Sequence, residues 1–222
     1  METAQLFDVH RQVHYKKPRM RGWAHLVFFE ASLVLGTLLI GEANGARQIS
    51  VASVYTATVS GLFGASALYH RGNWGPVAAA RLQRLDQLMI FFLIAGTATP
   101  PMALCVPAPW SNIGLIALWS LTLLLVITRL IWLAVPERLG GAMFIGLGWI
   151  AGSALPSVWI HAGIAPGILM LAGGLMYTLG AVSYHRRSPD PLPSVFGYHE
   201  VFHTYVCAAA ACQFVAIACF LF

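Results

Sequence analysis

Charged side chains are scarce in this sequence. Only 9% of its 222 residues are Asp, Glu, Lys or Arg, against roughly 25% in an ordinary soluble domain. With 58% apolar residues and a mean hydropathy of +0.72, too little polar surface exists to coat a water-soluble globule, and the bilayer must be most of the solvent. Paired cysteines are lacking as well. Cys105, Cys207, Cys212 and Cys219 all sit in apolar stretches and none forms a CxxC pair, so neither a disulfide framework nor a thiolate zinc site is signalled. They are expected to be packing residues. A good cleavage site is missing too: the basic tail precedes an apolar run, as in a signal peptide, but that run is long and "GEANGA" suits a peptidase poorly. No repeat, low-complexity segment or linker interrupts the chain. The net charge of +5 comes from basic residues beside apolar runs, which fits anchoring to an anionic membrane face rather than nucleic-acid binding.

What is present in quantity is long uncharged sequence. A hydrocarbon core about 30 Å thick takes about 20 helical residues. Residues 22 to 41 make one span, interrupted only by His25 and Glu30, and residues 48 to 69 a second. Residues 87 to 128 hold two, turned by "CVPAPWSN"; residues 139 to 184 hold two more, broken near "PSVWIHAGIAP". Residues 201 to 222, with a start near Gly197, give the last.

All but one of the 13 Lys and Arg residues fall in the tail and in the even-numbered connections, Arg47 being the exception. The sequence therefore predicts an all-α, polytopic membrane protein, a seven-transmembrane helix bundle with its N-terminus cytoplasmic and its C-terminus outside. Residues 1–21 form a cytoplasmic basic tail and residues 22–222 a single seven-helix transmembrane domain. Spacings such as Gly148 to Gly152, and Gly61 near Gly64, suit close helix packing.

On that topology the ionisable residues gather at one membrane face. Ser66 and His70 end helix 2, Asp86 begins helix 3, and His199, Glu200 and His203 begin helix 7 within "HEVFH". His25 starts helix 1 at the same level. Residues four apart share a helix face about 5–6 Å apart at Cβ, which pairs Ser66 with His70 and His199 with His203. The HExxH pattern ordinarily means two zinc-binding histidines flanking a general base, but no His, Asp or Glu follows between Thr204 and Phe222. Further ligands must come from upstream. Three imidazoles from two helices would give zinc three nitrogens and an open fourth position for water. Asp86 could take or orient the proton of that water and Ser66 could hydrogen-bond the reacting oxygen. Glu200 is the rival base; pointing about 100° round the helix from His199, it reaches the site or faces interfacial water.

Blander readings compete at each position. A lone histidine at a membrane helix end is more often a satisfied interfacial residue, and HExxH arises by chance. Ionisable groups near the membrane cost about 2.5–3.5 kcal/mol at its centre, so their convergence asks for a purpose. Glu30 is expected to find a buried partner or to be protonated. His185 reads as a loop residue beside Arg186 and Arg187, His161 lies on the opposite face, and His10 and His14 lie in the tail. Trp23, Trp110 and Trp159 are expected as interfacial anchors, and "PRMRG", Pro18 to Gly22, as a basic anchor before helix 1.

The segments "SALYHR" (66–71), "RLDQLMIFFLIAGTATP" (84–100) and "GYHEVFH" (197–203) resemble the hemolysin III family, which belongs with the progestin and adipoQ receptors and more distantly the alkaline ceramidases. The resemblance extends from "KPRMRGWAHL" to "GGLMYTLGAVSYHRR". It implies seven helices, a cytoplasmic N-terminus and a zinc site near that face, with His70, His199 and His203 as ligands, Asp86 at the zinc-bound water and Ser66 beside it. In the bacterial pattern Leu-Asp is often followed by His, whereas here Gln87 follows Asp86. Glu200 recurs in bacterial relatives without being a defining ligand.

The leading expectation is a Zn2+-dependent integral membrane hydrolase cleaving an amide or ester bond of a membrane lipid. The resemblance adds ceramidase-like chemistry and a link to membrane lipid homeostasis. A non-enzymatic sensor or receptor-like protein with a structural zinc is the alternative. A pore-forming hemolysin is disfavoured, because the spans carry no polar stripe.

Overall fold

The computed structural model describes residues 5–8, 13–132 and 135–222. Arg11 and His10 of the basic tail lie outside the described residues. In the tail, strands β1 (Gln5–Asp8) and β2 (Val13–Lys16) pair as an antiparallel hairpin. The named elements after it among the described residues are helices: α1 (Trp23–Glu42), α2 (Gly45–Arg71), α3 (Pro76–Cys105), α4 (Trp110–Ile131), α5 (Glu137–Ala151), α6 (Leu155–His161), α7 (Ile164–Arg186) and α8 (Tyr198–Phe220). A 3-10 turn, Gly152–Ala154, links α5 to α6 so that the pair crosses as one span. Among the described residues, seven helical spans are long and apolar enough to cross a membrane.

Local chemistry sets the ends. Pro76 occupies the first turn of α3, where its missing N–H costs nothing. The "CVPAPWSN" turn separates α3 from α4 as expected. The other expected break moves: helix α6 runs through "PSVWIH", and the reversal comes at Ala162 and Gly163. Pro156, in the first turn of α6, instead accounts for the 3-10 interruption, because its ring disfavours a continuous α-helix through Gly152. Arg81, Arg84 and Asp86, expected in or next to a loop, lie well inside α3. Charge marked where the hydrocarbon begins; the helix starts earlier.

Burial ranks the spans. Two thirds of the apolar window of α3 and over half of that of α2 are buried, whereas α1 and α4 bury 17% each. Helices α2 and α3 therefore form the interior, and α1 and α4 turn most of their surface outward. One apolar cluster joins α1, α2, α7 and α8 around Tyr55, Phe63, Val206 and Ile217; another joins α3, α4 and α5 around Phe91, Leu118 and Leu147. Close approaches need glycine at particular points: a Cβ on Gly96 would lie 1.8 Å from Thr58 Oγ1, and one on Gly64 2.8 Å from the Phe29 ring. Gly61, against Met89, serves likewise. The expectation fails for Gly148 and Gly152, where an added Cβ meets nothing within 4 Å. Both line a cavity of ≈ 1670 Å³ bounded chiefly by α3, α5, α7 and α8. It exceeds the roughly 300–1,000 Å³ of a typical small-molecule pocket.

Candidate metal centre

The end of the bundle that carries the N-terminal segment also carries the histidines. On α2, Ser66 and His70 are one turn apart and both buried; on α8, His203 is buried and His199 half-buried. The ring nitrogens of His70, His199 and His203 all come within 4.8 Å of one another. His70 Nε2 and His199 Nε2 stand 3.3 Å apart, and the three rings meet edge to face at centroid distances of 4.7, 5.0 and 4.6 Å.

That spacing tests the fit of a metal. Two nitrogens each about 2.0–2.1 Å from a tetrahedral zinc are separated by roughly 3.3 Å, which is the His70–His199 distance. Three convergent imidazoles, each with one ligand nitrogen to offer, form a group that can hold a metal ion.

The carboxylate expected at the site is there. Asp86 Oδ2 lies 3.7 Å from His70 Nε2. Ser66 does more than expected: its Oγ is 2.7 Å from Nδ1 of His25. The His25 ring in turn stacks on His203, centroids 3.8 Å apart and planes 13° from parallel, and packs edge-on against Phe63. A buried imidazole thus braces both a candidate ligand and the serine, while its Nε2 is buried without a protein partner.

Glu200 is corrected as a candidate base. Its Oε1 forms a buried ion pair with Arg21, and its Oε2 accepts the backbone N–H of Gly197 at 2.8 Å, the glutamate half of a capping box at the start of α8. The 100° offset from His199 turns it away from the three nitrogens and toward the segment before α1. Arg21 is accordingly a buried partner rather than part of an exposed basic anchor. Around it, Arg19 and Met20 donate backbone hydrogen bonds to Ser194 and Val195 in the α7–α8 link. Gly22, at φ +77°, brings the chain so close to His70 that a Cβ would lie 2.8 Å from that of the histidine. Sequence reasoning passed over this strap; its one signal was the glutamate three residues after Gly197, a capping-box spacing.

The remaining candidates sort simply. Gln87 accepts a hydrogen bond from Arg129 Nη2 at 2.5 Å. Glu30 has no buried setting; it lies on the exposed face of α1. His185 is exposed in the last turn of α7, and His161 is exposed at the opposite end. Trp23 lies beneath the Arg71 guanidinium, 3.9 Å from its ring centroid. Of the cysteines, Cys105 and Cys207 are buried, but Cys219 is exposed on the outside of α8, where packing does not explain it.

The profile of the family described as "Haemolysin-III related" matches residues 13–214. The chain is similar to Hemolysin-3 of Bacillus cereus, 25% identical over 192 residues and 84% of each chain. It is also similar to a Hemolysin-3 homolog of Bacillus subtilis (strain 168), 25% identical over 136 residues and 61% of each chain. Seven spans and a match covering nearly the whole chain place it plainly: the chain belongs to the haemolysin-III-related family and is a multi-pass cell-membrane protein of bacterial type.

Proposed function

We propose that this protein is a zinc-dependent hydrolase that cleaves an ester or amide bond of a membrane lipid, working at the cytoplasmic end of the bundle. The observation that carries the reading is the meeting of His70, His199 and His203, two of their nitrogens 3.3 Å apart, at a large cavity that all three line with Asp86 and Ser66. Bound by these imidazoles, zinc supplies Lewis acidity toward a carbonyl and lowers the pKa of water to about 7. Asp86, beside His70, is the group placed to hold a proton or orient a water molecule there. Ser66, fixed by His25, is the hydroxyl placed to hydrogen-bond the substrate oxygen. Below them Ile90, Ile94, Phe144 and Met170 offer the cavity wall an acyl chain requires. The excess of Lys and Arg at this end supports its cytoplasmic placement.

The test is lipid turnover by the purified protein in detergent. It predicts release of fatty acid that stops on chelation, returns with Zn2+, and is lost in His203→Ala. Stoichiometric zinc with no turnover across a panel of glycero- and sphingolipids would overturn it.

One observation favours a second reading, a sensor or receptor-like protein with a structural metal. Asp86 Oδ2 is near enough to His70 that a small shift lets it serve as fourth ligand, closing the site to water. A four-ligand protein shell in a metal-loaded structure selects that reading. The pore-forming reading, which the relatives' names suggest, requires leakage of liposomes by the pure protein.

A further inference from the structure

The charge of the cavity lining is lopsided. Among the described residues that line it, seven are Lys or Arg and one, Asp86, carries a carboxylate. The cations come from the tail segment (Lys17), the end of α2 (Arg71), α4 (Arg129), α5 (Arg138) and α7 (Arg186), so they approach the mouth from several sides. A general excess of cations at this end accounts for basic residues facing headgroups. It does not account for their convergence on one cavity, since Arg81 and Arg84 lie exposed on α3 at the same end and stay outside it.

Three of these cations, Arg129, Lys17 and Arg71, meet neutral partners. Arg129 is held by the amide oxygen of Gln87, the residue after Asp86, with its other terminal nitrogen beside α5 at Gly140. An amide fixes a guanidinium without neutralising it. Lys17 donates to the Gly72 carbonyl at 3.2 Å, and Arg71 stacks on Trp23. Burial, then the neighbouring charges of Arg21 and Arg71, hold the Lys17 ammonium below its ordinary pKa, as expected where cations crowd without a matching carboxylate. Glu200 is taken by Arg21.

We infer that this mouth is an anion-binding subsite that selects lipids carrying a phosphate headgroup, with Arg129 and Arg138 as specificity-determining residues. The inference rests on the reading of the cavity as a lipid site and deepens it by naming the lipid class. A phosphate offers guanidinium groups several charge-assisted hydrogen bonds, and its acyl chains continue into the apolar part of the cavity. A neutral diacylglycerol or ceramide leaves the same cations unmatched.

The experiment is equilibrium binding to the full-length protein in a neutral maltoside detergent, with dioctanoyl phosphatidylglycerol, dioctanoylglycerol and inorganic phosphate as separate probes. The phosphatidylglycerol is expected to bind about tenfold more tightly than the glycerol, with Arg129→Gln and Arg138→Gln each removing most of that preference. The double variant Arg81→Gln/Arg84→Gln, which removes two positive charges outside the cavity against one in each test variant, should leave it intact. Zinc content and melting temperature establish that each variant is folded; if Arg129→Gln is not, Arg138→Gln alone decides. Equal affinity for the two lipids, or equal loss in the Arg81/Arg84 variant, overturns the inference. Inorganic phosphate binding as tightly as the lipid overturns its lipid source. Because no turnover is read, selective binding without hydrolysis would keep this inference and sink only the hydrolase.

Discussion

Arg21 and Glu200 form a buried ion pair that joins the segment before α1 to the first turn of α8. It anchors a strap whose next residue, Gly22, lies against His70. The two halves of the candidate metal centre, on α2 and α8, are thus tied through the N-terminal segment as well as through the contact of His70 with His199. Removing one member of a buried pair strands the other charge. Arg21→Ala is therefore expected to destabilise the protein by about 3–5 kcal/mol, read as a fall in melting temperature in detergent. Glu200→Gln, which retains an acceptor for the Gly197 N–H, should cost less; equal losses would show that the ion pair is not the source.

Gly22 gives a sharper local test. Its φ of +77° lies in the left-handed region, and an added Cβ would meet the Cβ of His70 at 2.8 Å. Gly22→Ala should add about 1–2 kcal/mol of backbone strain and displace His70, so metal affinity should fall further than stability alone explains. Competition with a zinc chelator measures it, and an unchanged affinity contradicts the proposed role of the strap.

His25 braces Ser66 and His203 without belonging to the three-nitrogen group. His25→Phe retains a ring to stack on His203 and removes the hydrogen bond to Ser66. The expected result is retained metal with turnover down about 10–100-fold, the range for groups that orient metal-site residues. Loss of metal together with activity would instead make His25 a part of the binding group.

Glycines separate the packed interior from the cavity. Gly96→Ala drives a methyl into Thr58 and should cost about 1–3 kcal/mol. Gly148→Ala meets open space and should leave the melting temperature unchanged, while Gly148→Leu should stay folded and reduce lipid turnover by filling the cavity. A strong destabilisation by Gly148→Ala would contradict the cavity.

Much of this was legible in the sequence, for identifiable reasons. A bilayer excludes charge, so uncharged runs such as 87–128 reported their spans directly. The histidine pairs one turn apart reported the meeting of His70, His199 and His203, because helical periodicity fixes which side chains share a face. Helix ends were less legible: α3 extends back to Pro76, beyond the hydrocarbon, and takes Arg81 and Arg84 with it. The Arg21–Glu200 pair was illegible, since tertiary packing alone brings those distant residues together. Gly148 and Gly152 misled because small-residue spacing is the same whether a helix or a cavity lies opposite.

The central claim is tested most directly by metal analysis of the detergent-purified protein, with X-ray absorption to identify the ligand atoms. About one zinc per chain in a nitrogen-rich shell with metal–nitrogen distances near 2.0–2.1 Å is expected, reduced to background in His70→Ala and in His199→Ala. A folded wild-type protein that binds no metal after exposure to zinc, or one whose metal survives both substitutions, would contradict the account.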